Sequence, residues 1–234
     1  MQRWQAVKSW WGERVSAPPP EGSSAWAADD AGRWCGRCGA TGAGQALSDS
    51  GCAFCSGTPL AWDAIVRLGA YEPPLDDWVR AMKYRRQWSI APWLGQRLGE
   101  RLAGMGVDRD AAVVTHVPMH WTRRWRRGFD QASLMAGGVA AAGSWPHHPL
   151  LRRVRRTAPQ TAVPPSRRNE NVRGAFAMAP VDLAGRPIVL VDDVKTSGAT
   201  LSRCARLLRQ HGAGTIHVAV AAVADPKGQS FTAV

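Results

Sequence analysis

The stretch VLVDDVKTSGATL, residues 189–201, narrows the possible folds more than any other part of the chain. An apolar β-branched run preceded by proline reads as a strand buried on both faces, so RPIVLVDDV (186–194) is expected to be a central strand with its apolar part at 188–192. The loop is then 193–198. GATLSRCARLLRQHGAG (198–214) reads as a helix beginning near Ala199, with Leu201, Cys204, Ala205 and Leu208 inward and glycines at its end. The remaining chain from residue 60 repeats the alternation. AAVVTHVP (111–118) and TIHVAVAAV (215–223) read as strands. Leu75, Trp78, Val79 and Met82, then Leu94, Leu98 and Leu102, recur at helical spacing, and RGFDQASLMAGGVAAA (127–142) reads as a helix. The expected fold class is α/β, a parallel sheet flanked by helices with ligands at the strands' carboxyl ends.

That topology explains the order of residues in the stretch. Thr196, Ser197, Gly198, Ala199 and Thr200 surround a helix N-terminus, where unpaired amides and the helix dipole attract an anion and glycine lets a phosphate approach the backbone. A bare phosphate does not call for two carboxylates beside it. A phosphorylated sugar does, because Asp192 and Asp193 can accept from vicinal hydroxyls while the loop holds the phosphate. An Asp turn and a Thr cap, the plain structural alternative, account for one acid and one hydroxyl only.

Cysteine spacing supplies a second constraint. Cys35 and Cys38, then Cys52 and Cys55, form two CxxC pairs. Two intervening residues let both thiolates of a pair face one ion, and two such turns close a tetrahedral sulfur site around zinc. A redox or disulfide set is the alternative, but two pairs of one spacing in a chain without a signal peptide favour metal. Residues 34–58 are therefore expected to be a closed zinc ribbon, held together by the metal because so short a segment has no sufficient core. Residues 1–33 read as a tryptophan-bearing segment and linker, and 60–234 as the main domain.

Charge raises a question of partner. Lys+Arg number 30 against 18 Asp+Glu, a net +12, and only Lys8, Lys83, Lys195 and Lys227 are lysines. Between residues 120 and 173 stand Arg123, Arg124, Arg126, Arg127, Arg152, Arg153, Arg155, Arg156, Arg167, Arg168 and Arg173, opposed by Asp130 and Glu170. The stretch 152–173 reads as a mobile loop or hood. With Trp121 and Trp125 it suits single-stranded nucleic acid, charge for the backbone and rings for the bases. The alternatives are a solvated loop, core tryptophans and composition bias in the coding DNA. No apolar stretch approaches the length of a membrane helix, so no membrane insertion is expected, and a cytoplasmic location is the default.

The motif VLVDDVKTSGATL resembles the phosphoribosyl-pyrophosphate (PRPP) motif of type I phosphoribosyltransferases. The chain more narrowly resembles the ComF family of competence-associated phosphoribosyltransferase-like proteins. It does so in the four cysteines, in Tyr71, Lys83 and Tyr84, in HVPMH (116–120), in RGFDQ (127–131), and in Arg168, Asn171 and GAF (174–176). The likeness implies a type I phosphoribosyltransferase fold with an N-terminal zinc ribbon. It implies that Asp192 and Asp193 bind the ribose hydroxyls, that Thr196 through Thr200 bind the 5′-phosphate with Lys195 beside them in the PRPP site, and that the HVPMH turn, with Val117 and Pro118, binds the pyrophosphate with magnesium. Arg123, Arg124, Arg126, Arg127 and Arg168 are the candidates for pyrophosphate or nucleic acid. The implied role is PRPP-dependent handling of internalised single-stranded DNA, with other competence proteins as possible partners. The alternative is a non-catalytic nucleic-acid-binding adaptor or PRPP sensor. Two positions depart from the family pattern: Lys195 stands where an aliphatic or small residue is usual, and Asp130 replaces an asparagine, so a phosphate-donor role there is lost.

Overall fold

Strand β1 (Ala64–Ala70) opens the α/β domain in a computed structural model that describes residues 19–42, 51–155 and 174–224, and only the backbone of Arg123 and Arg126. Helices α1 (Leu75–Tyr84) and α2 (Ile90–Gly104) follow, then β2 (Val113–His116), α3 (Trp121–Arg127) and α4 (Gln131–Gly143). A two-stranded ribbon, β3 (Leu151–Arg153) and β4 (Phe176–Met178), precedes β5 (Ile188–Lys195), α5 (Ala199–Gln210) and β6 (Ile216–Val223).

The main sheet has the order β1-β6-β5-β2 and every pairing in it is parallel. Ile188 pairs with Val113 on one side and Ile216 on the other, so β5 is flanked on both edges, as its apolar run anticipates. Because the strands run the same way, Tyr71, Val117 and the end of β5 emerge together at one rim. One face is covered by α1, α2 and α4, burying Val66, Leu68, Leu94, Leu98, Met135 and Val139. The other is covered by α5 and the β3–β4 ribbon, burying Leu190, Leu201, Cys204, Leu208 and Phe176. Cys204 is fully buried, in keeping with a core role.

Helices α2 and α4 approach closely because glycines face each other. A Cβ on Gly95 would stand 2.1 Å from the Met135 carbonyl oxygen, and one on Gly138 2.3 Å from that of Pro92.

Four expectations are corrected. The stretch 127–142 is two helices rather than one. Gly128, in the left-handed region at φ 84, ends α3, and Asp130 caps α4 by accepting from the Ser133 amide. Strand β5 continues through both acids to Lys195, so the loop shortens to 196–198. Arg152 and Arg153 belong to a strand, although 156–173 lies outside the described residues. Finally, residues 19–33 do not behave as a free linker. The Trp26 ring meets Trp78 edge-on at 5.2 Å and Trp93 at 5.9 Å, and the Asp29 amide donates to the Leu68 carbonyl at 2.7 Å. Asp29 also pairs at 2.7 Å with Arg67, a fully buried guanidinium in β1 that donates to Gly39 O and Thr41 Oγ1, both at 2.9 Å. A buried charge is tolerable only when paired and hydrogen-bonded, and here its partners come from two segments of chain remote from β1, Asp29 and 39–41.

Candidate active site and cysteine cluster

At the carboxyl rim of the sheet lies a cavity of about 230 Å³. Its wall includes Asp192, Asp193, the 195–200 loop, Val117 and Pro118, and also Tyr71, Lys83, Tyr84, Arg127, Asp130 and Gln131. Strand β5 delivers the two carboxylates. Because side chains alternate along a strand, the acids point to opposite sides and meet different surroundings. Asp193 is buried against α1 and α4: Lys83 Nζ lies 3.0 Å from its Oδ1, and Gln131 Nε2 donates to its Oδ2 at 2.8 Å. Asp192 keeps part of its surface open, and its Oδ1 accepts from the Asp193 amide at 2.8 Å.

This asymmetry sets the charges. Burial pushes the Asp192 carboxyl up to about 8, and the neighbouring Asp193 carboxylate adds to the effect, against the Asp193 amide and the Lys83 charge. Burial alone would discharge Lys83, but the attraction of Asp193 and then Asp192 outweighs it and holds the ammonium above its ordinary value. The Lys83–Asp193 ion pair thus stands beside a carboxyl that exchanges its proton near 8.

The loop after β5 turns at Gly198, whose φ of 74° places it in the left-handed region and whose carbonyl accepts from the Ser202 amide as α5 begins. Helix α5 spans 12 residues, so its first-turn amides and dipole face the cavity with a developed positive end. The opposite wall is the Val117–Met119 turn. Asp130 fixes it: Oδ2 accepts from the Met119 amide at 3.1 Å while Oδ1 caps α4 at 3.2 Å. Burial raises the Asp130 carboxyl, and the two amides act in the other direction. The carboxylate at this departure from the family pattern thus serves as a tie between turn and helix. Behind it, His116 Nδ1 and His147 Nε2 lie 3.1 Å apart, and burial lowers the two imidazoles to about 4 and about 3, so the pair is neutral at ordinary pH.

The basic candidates separate. Arg127 lies in the cavity wall with its guanidinium 5.7 Å from the Tyr84 ring centre, a cation–π distance. Arg124 is exposed on α3 beside Trp121 and Trp125, which are 70% and 86% exposed, so these tryptophans are not core. The side chains of Arg123 and Arg126, and all of Arg168, lie outside the described residues. The sequence reading had placed Lys83, Gln131 and Asp130 in no ligand-binding role. Lys83 and Gln131 stood out only as parts of motifs that carry the family resemblance.

The four cysteines come together on the amino side of β1. All are buried and their sulfurs lie within 4.8 Å of one another. Pairwise separations of 3.5 Å (Cys38–Cys52), 3.8 Å (Cys35–Cys55) and 3.9 Å (Cys52–Cys55) fit four thiolates around one ion, since sulfurs about 2.3 Å from a tetrahedral zinc stand about 3.8 Å apart. Burial raises the Cys38 and Cys55 thiols. At Cys35 it is outweighed by hydrogen bonds from the backbone amides of Cys38, Arg37 and Cys52, which bring that thiol down to about 7. The ribbon is fastened to the sheet where the Ile65 amide donates to Gly36 O at 2.8 Å. Among the described residues no helix is long and apolar enough to cross a membrane.

A family model described as a phosphoribosyl transferase domain matches residues 138–231. DNA utilization protein YhgH of Salmonella typhimurium (strain LT2) is 32% identical over 190 residues, 79% of this chain and 81% of its own. Competence protein F of Haemophilus influenzae is 30% identical over 197 residues, 79% and 82% of the two chains. A solved structure of the allosteric regulatory enzyme of purine biosynthesis overlaps 54% of this chain and 25% of its own, at 30% identity and a TM-score of 0.36. The likeness to the two bacterial relatives reaches far beyond the matched domain, across most of both chains, and on that ground the chain belongs to the ComF family of competence-associated, phosphoribosyltransferase-like proteins.

Proposed function

We propose that the protein binds PRPP in the cavity at the sheet rim and uses it in the handling of single-stranded DNA taken into the cytoplasm. One observation carries this reading: the wall that holds Asp192 and Asp193 also holds the 195–200 loop at the start of α5 and the Val117–Pro118 turn facing it. Sugar hydroxyls, a terminal phosphate and a pyrophosphate call for such a set, namely acceptors, helix-end amides and a second backbone turn. The names of the relatives, DNA utilization protein and competence protein, support the biological setting.

In this reading Asp192 and Asp193 accept from the ribose hydroxyls. Thr196, Ser197, Gly198, Ala199 and Thr200 enclose the 5′-phosphate. Departure of pyrophosphate from the anomeric carbon leaves positive charge on the ribose, which the Asp193 carboxylate, and Asp192 once it has given up its proton, stabilise across a short, partly dry distance. Negative charge grows on the leaving group beside Val117, Pro118 and the Arg127 guanidinium. Magnesium, a hard ion that takes oxygen ligands such as those in this lining, would neutralise part of that charge. Lys83 pairs with Asp193 and holds it in place. The four cysteines hold a structural zinc ion, to which their spacing is suited. Arg123, Arg124 and Arg126 on α3, with Trp121 and Trp125 exposed beside them, would track a single strand.

Calorimetry of PRPP with magnesium tests the site. Replacing Asp192→Asn and Asp193→Asn together preserves volume and is expected to weaken binding by about 1–3 kcal/mol for each carboxylate. Unchanged affinity in the double variant refutes the assignment. Following pyrophosphate release with candidate acceptors then separates a transferase, which turns PRPP over, from a sensor, which only binds it.

A further inference from the structure

The Trp62 indole reaches from the cysteine ribbon to the phosphate loop. Its Nε1–H donates to the Arg37 carbonyl at 2.8 Å, and Arg37 stands between Cys35 and Cys38. The far edge of the same ring system lies against Gly198: a Cβ on that glycine would stand 3.1 Å from Trp62 Cη2 and 3.9 Å from Cζ3. Gly198 is the left-handed residue from which α5 starts. Trp62 itself is 5% exposed and packs in one apolar cluster with Ala199 and Leu201, the first buried residues of that helix.

A core tryptophan needs only apolar neighbours and some partner for its N–H. Here the partner is the carbonyl inside the CxxC turn, whose direction is set when both thiolates of the pair face one ion. The other end of this rigid bicycle forms the wall behind the residue that must let phosphate approach the backbone. A tilt of the indole that follows the Arg37 carbonyl moves that wall, and with it the amides of 197–199.

We infer that Trp62 is a positioning residue that couples the metal state of the four cysteines to the phosphate loop. Zinc in the ribbon strengthens phosphate binding at 196–200, and a bound phosphate strengthens zinc retention by the same factor, as linkage requires. The inference rests on the reading that this loop takes the 5′-phosphate of PRPP.

The test uses the full zinc-loaded chain and its Trp62→Phe variant, which keeps an apolar ring but loses the N–H and the reach of the second ring. The variant is expected to retain one zinc per chain and to bind PRPP with magnesium roughly tenfold more weakly. Its amides at 197–199 should exchange faster than those of the wild type. In a chelator titration, saturating PRPP is expected to raise the zinc affinity of the wild type by a similar factor and that of the variant hardly at all. A residue with a merely structural role would not abolish this reciprocity. Unchanged PRPP affinity and unchanged 197–199 exchange in the variant overturn the inference. If the variant does not fold, the wild-type titration decides by itself, and zinc affinity indifferent to PRPP overturns it. If the wild type binds no PRPP, the reading of the loop fails, and the exchange comparison without ligand alone decides whether Trp62 positions it.

Discussion

The cysteine ribbon and the cavity are built on opposite plans. The ribbon gathers its four sulfurs from two short turns, 35–38 and 52–55, and among the described residues Ala40, Phe54 and Leu60 complete its small apolar cluster. The cavity takes its wall from the ends of β1, β2 and β5, from α1, from α3 and α4, and from β3. A site of local turns with little core depends on its ligand for stability, whereas a site assembled from distant elements is held by the core that places them. The same contrast governs charge. Thiolates in the ribbon are to be neutralised by an ion, while in the cavity Lys83 already neutralises Asp193.

Removing the metal gives the largest effect. Cys35→Ser with Cys52→Ser should lower zinc from about one per chain to none by elemental analysis, and cost the ribbon on the order of 10 kcal/mol of local stabilisation. Amide protection should collapse in 34–58 and persist in β5 and α2. Loss of protection everywhere would break the comparison and make the two regions one cooperative unit. Cys204→Ala should leave the metal content unchanged, since that thiol is buried on the inner face of α5.

The cavity is sharpened next by Lys83→Met. Stripping one partner from a buried pair leaves Asp193 uncompensated, and denaturant unfolding should show a loss of about 3–5 kcal/mol. Adding Asp193→Asn should recover much of it. Full stability in the single variant would mean that the pair is no more than a surface contact.

A pH series probes the other carboxylate. Asp192 in the folded chain keeps its proton up to about 8, whereas in the unfolded chain it releases it near 3.8. Asp192 therefore binds more of its proton in the folded state between those values and contributes a fall in stability as pH rises through that window, by about 1.4 kcal/mol per pH unit at most, while His116 and His147, buried and neutral, contribute a rise below their ordinary 6.5. Asp192→Asn should flatten the fall. A difference between the wild-type and variant profiles that stays flat across the window would show Asp192 ionised at neutral pH.

The smallest effect concerns α3, which belongs to neither plan. Neutralising Arg123, Arg124 and Arg126 together should flatten the salt dependence of single-stranded DNA binding by about two units of slope, at about 0.7 per phosphate, and leave PRPP affinity unchanged. Loss of PRPP affinity with an unaltered slope would transfer these arginines to the cavity.

Legibility in the sequence followed the same division. Both CxxC pairs and the strand–acid–loop–helix order are local patterns, and their chemistry follows from spacing alone. Strand β1 was not legible, because Arg67 interrupts AIVRLGA with a charge that only Asp29, Gly39 and Thr41 make tolerable. Strands β3 and β4 are three residues each and pair across a long intervening segment, too short for alternation to register. The break between α3 and α4 turned on one left-handed glycine within a helical-looking run. In the cavity, the difference between Asp192 and Asp193 depends on Lys83 and Gln131, remote in sequence from both. Adjacent letters gave no sign of so unequal a pair.

The facing glycines of α2 and α4 have a consequence for the reach of a mutation. Met135, whose carbonyl would collide with a Cβ on Gly95, stands one helical turn from Gln131, the residue that donates to Asp193. The width of the ligand chamber is thus gauged at a dry contact away from its wall, by a carbon that is absent. Gly95→Ala would touch no residue of the chamber, yet it would lever α4 outward and draw the Gln131 amide from its acceptor. The shape of the cavity is in that sense a property of the spacing between two helices.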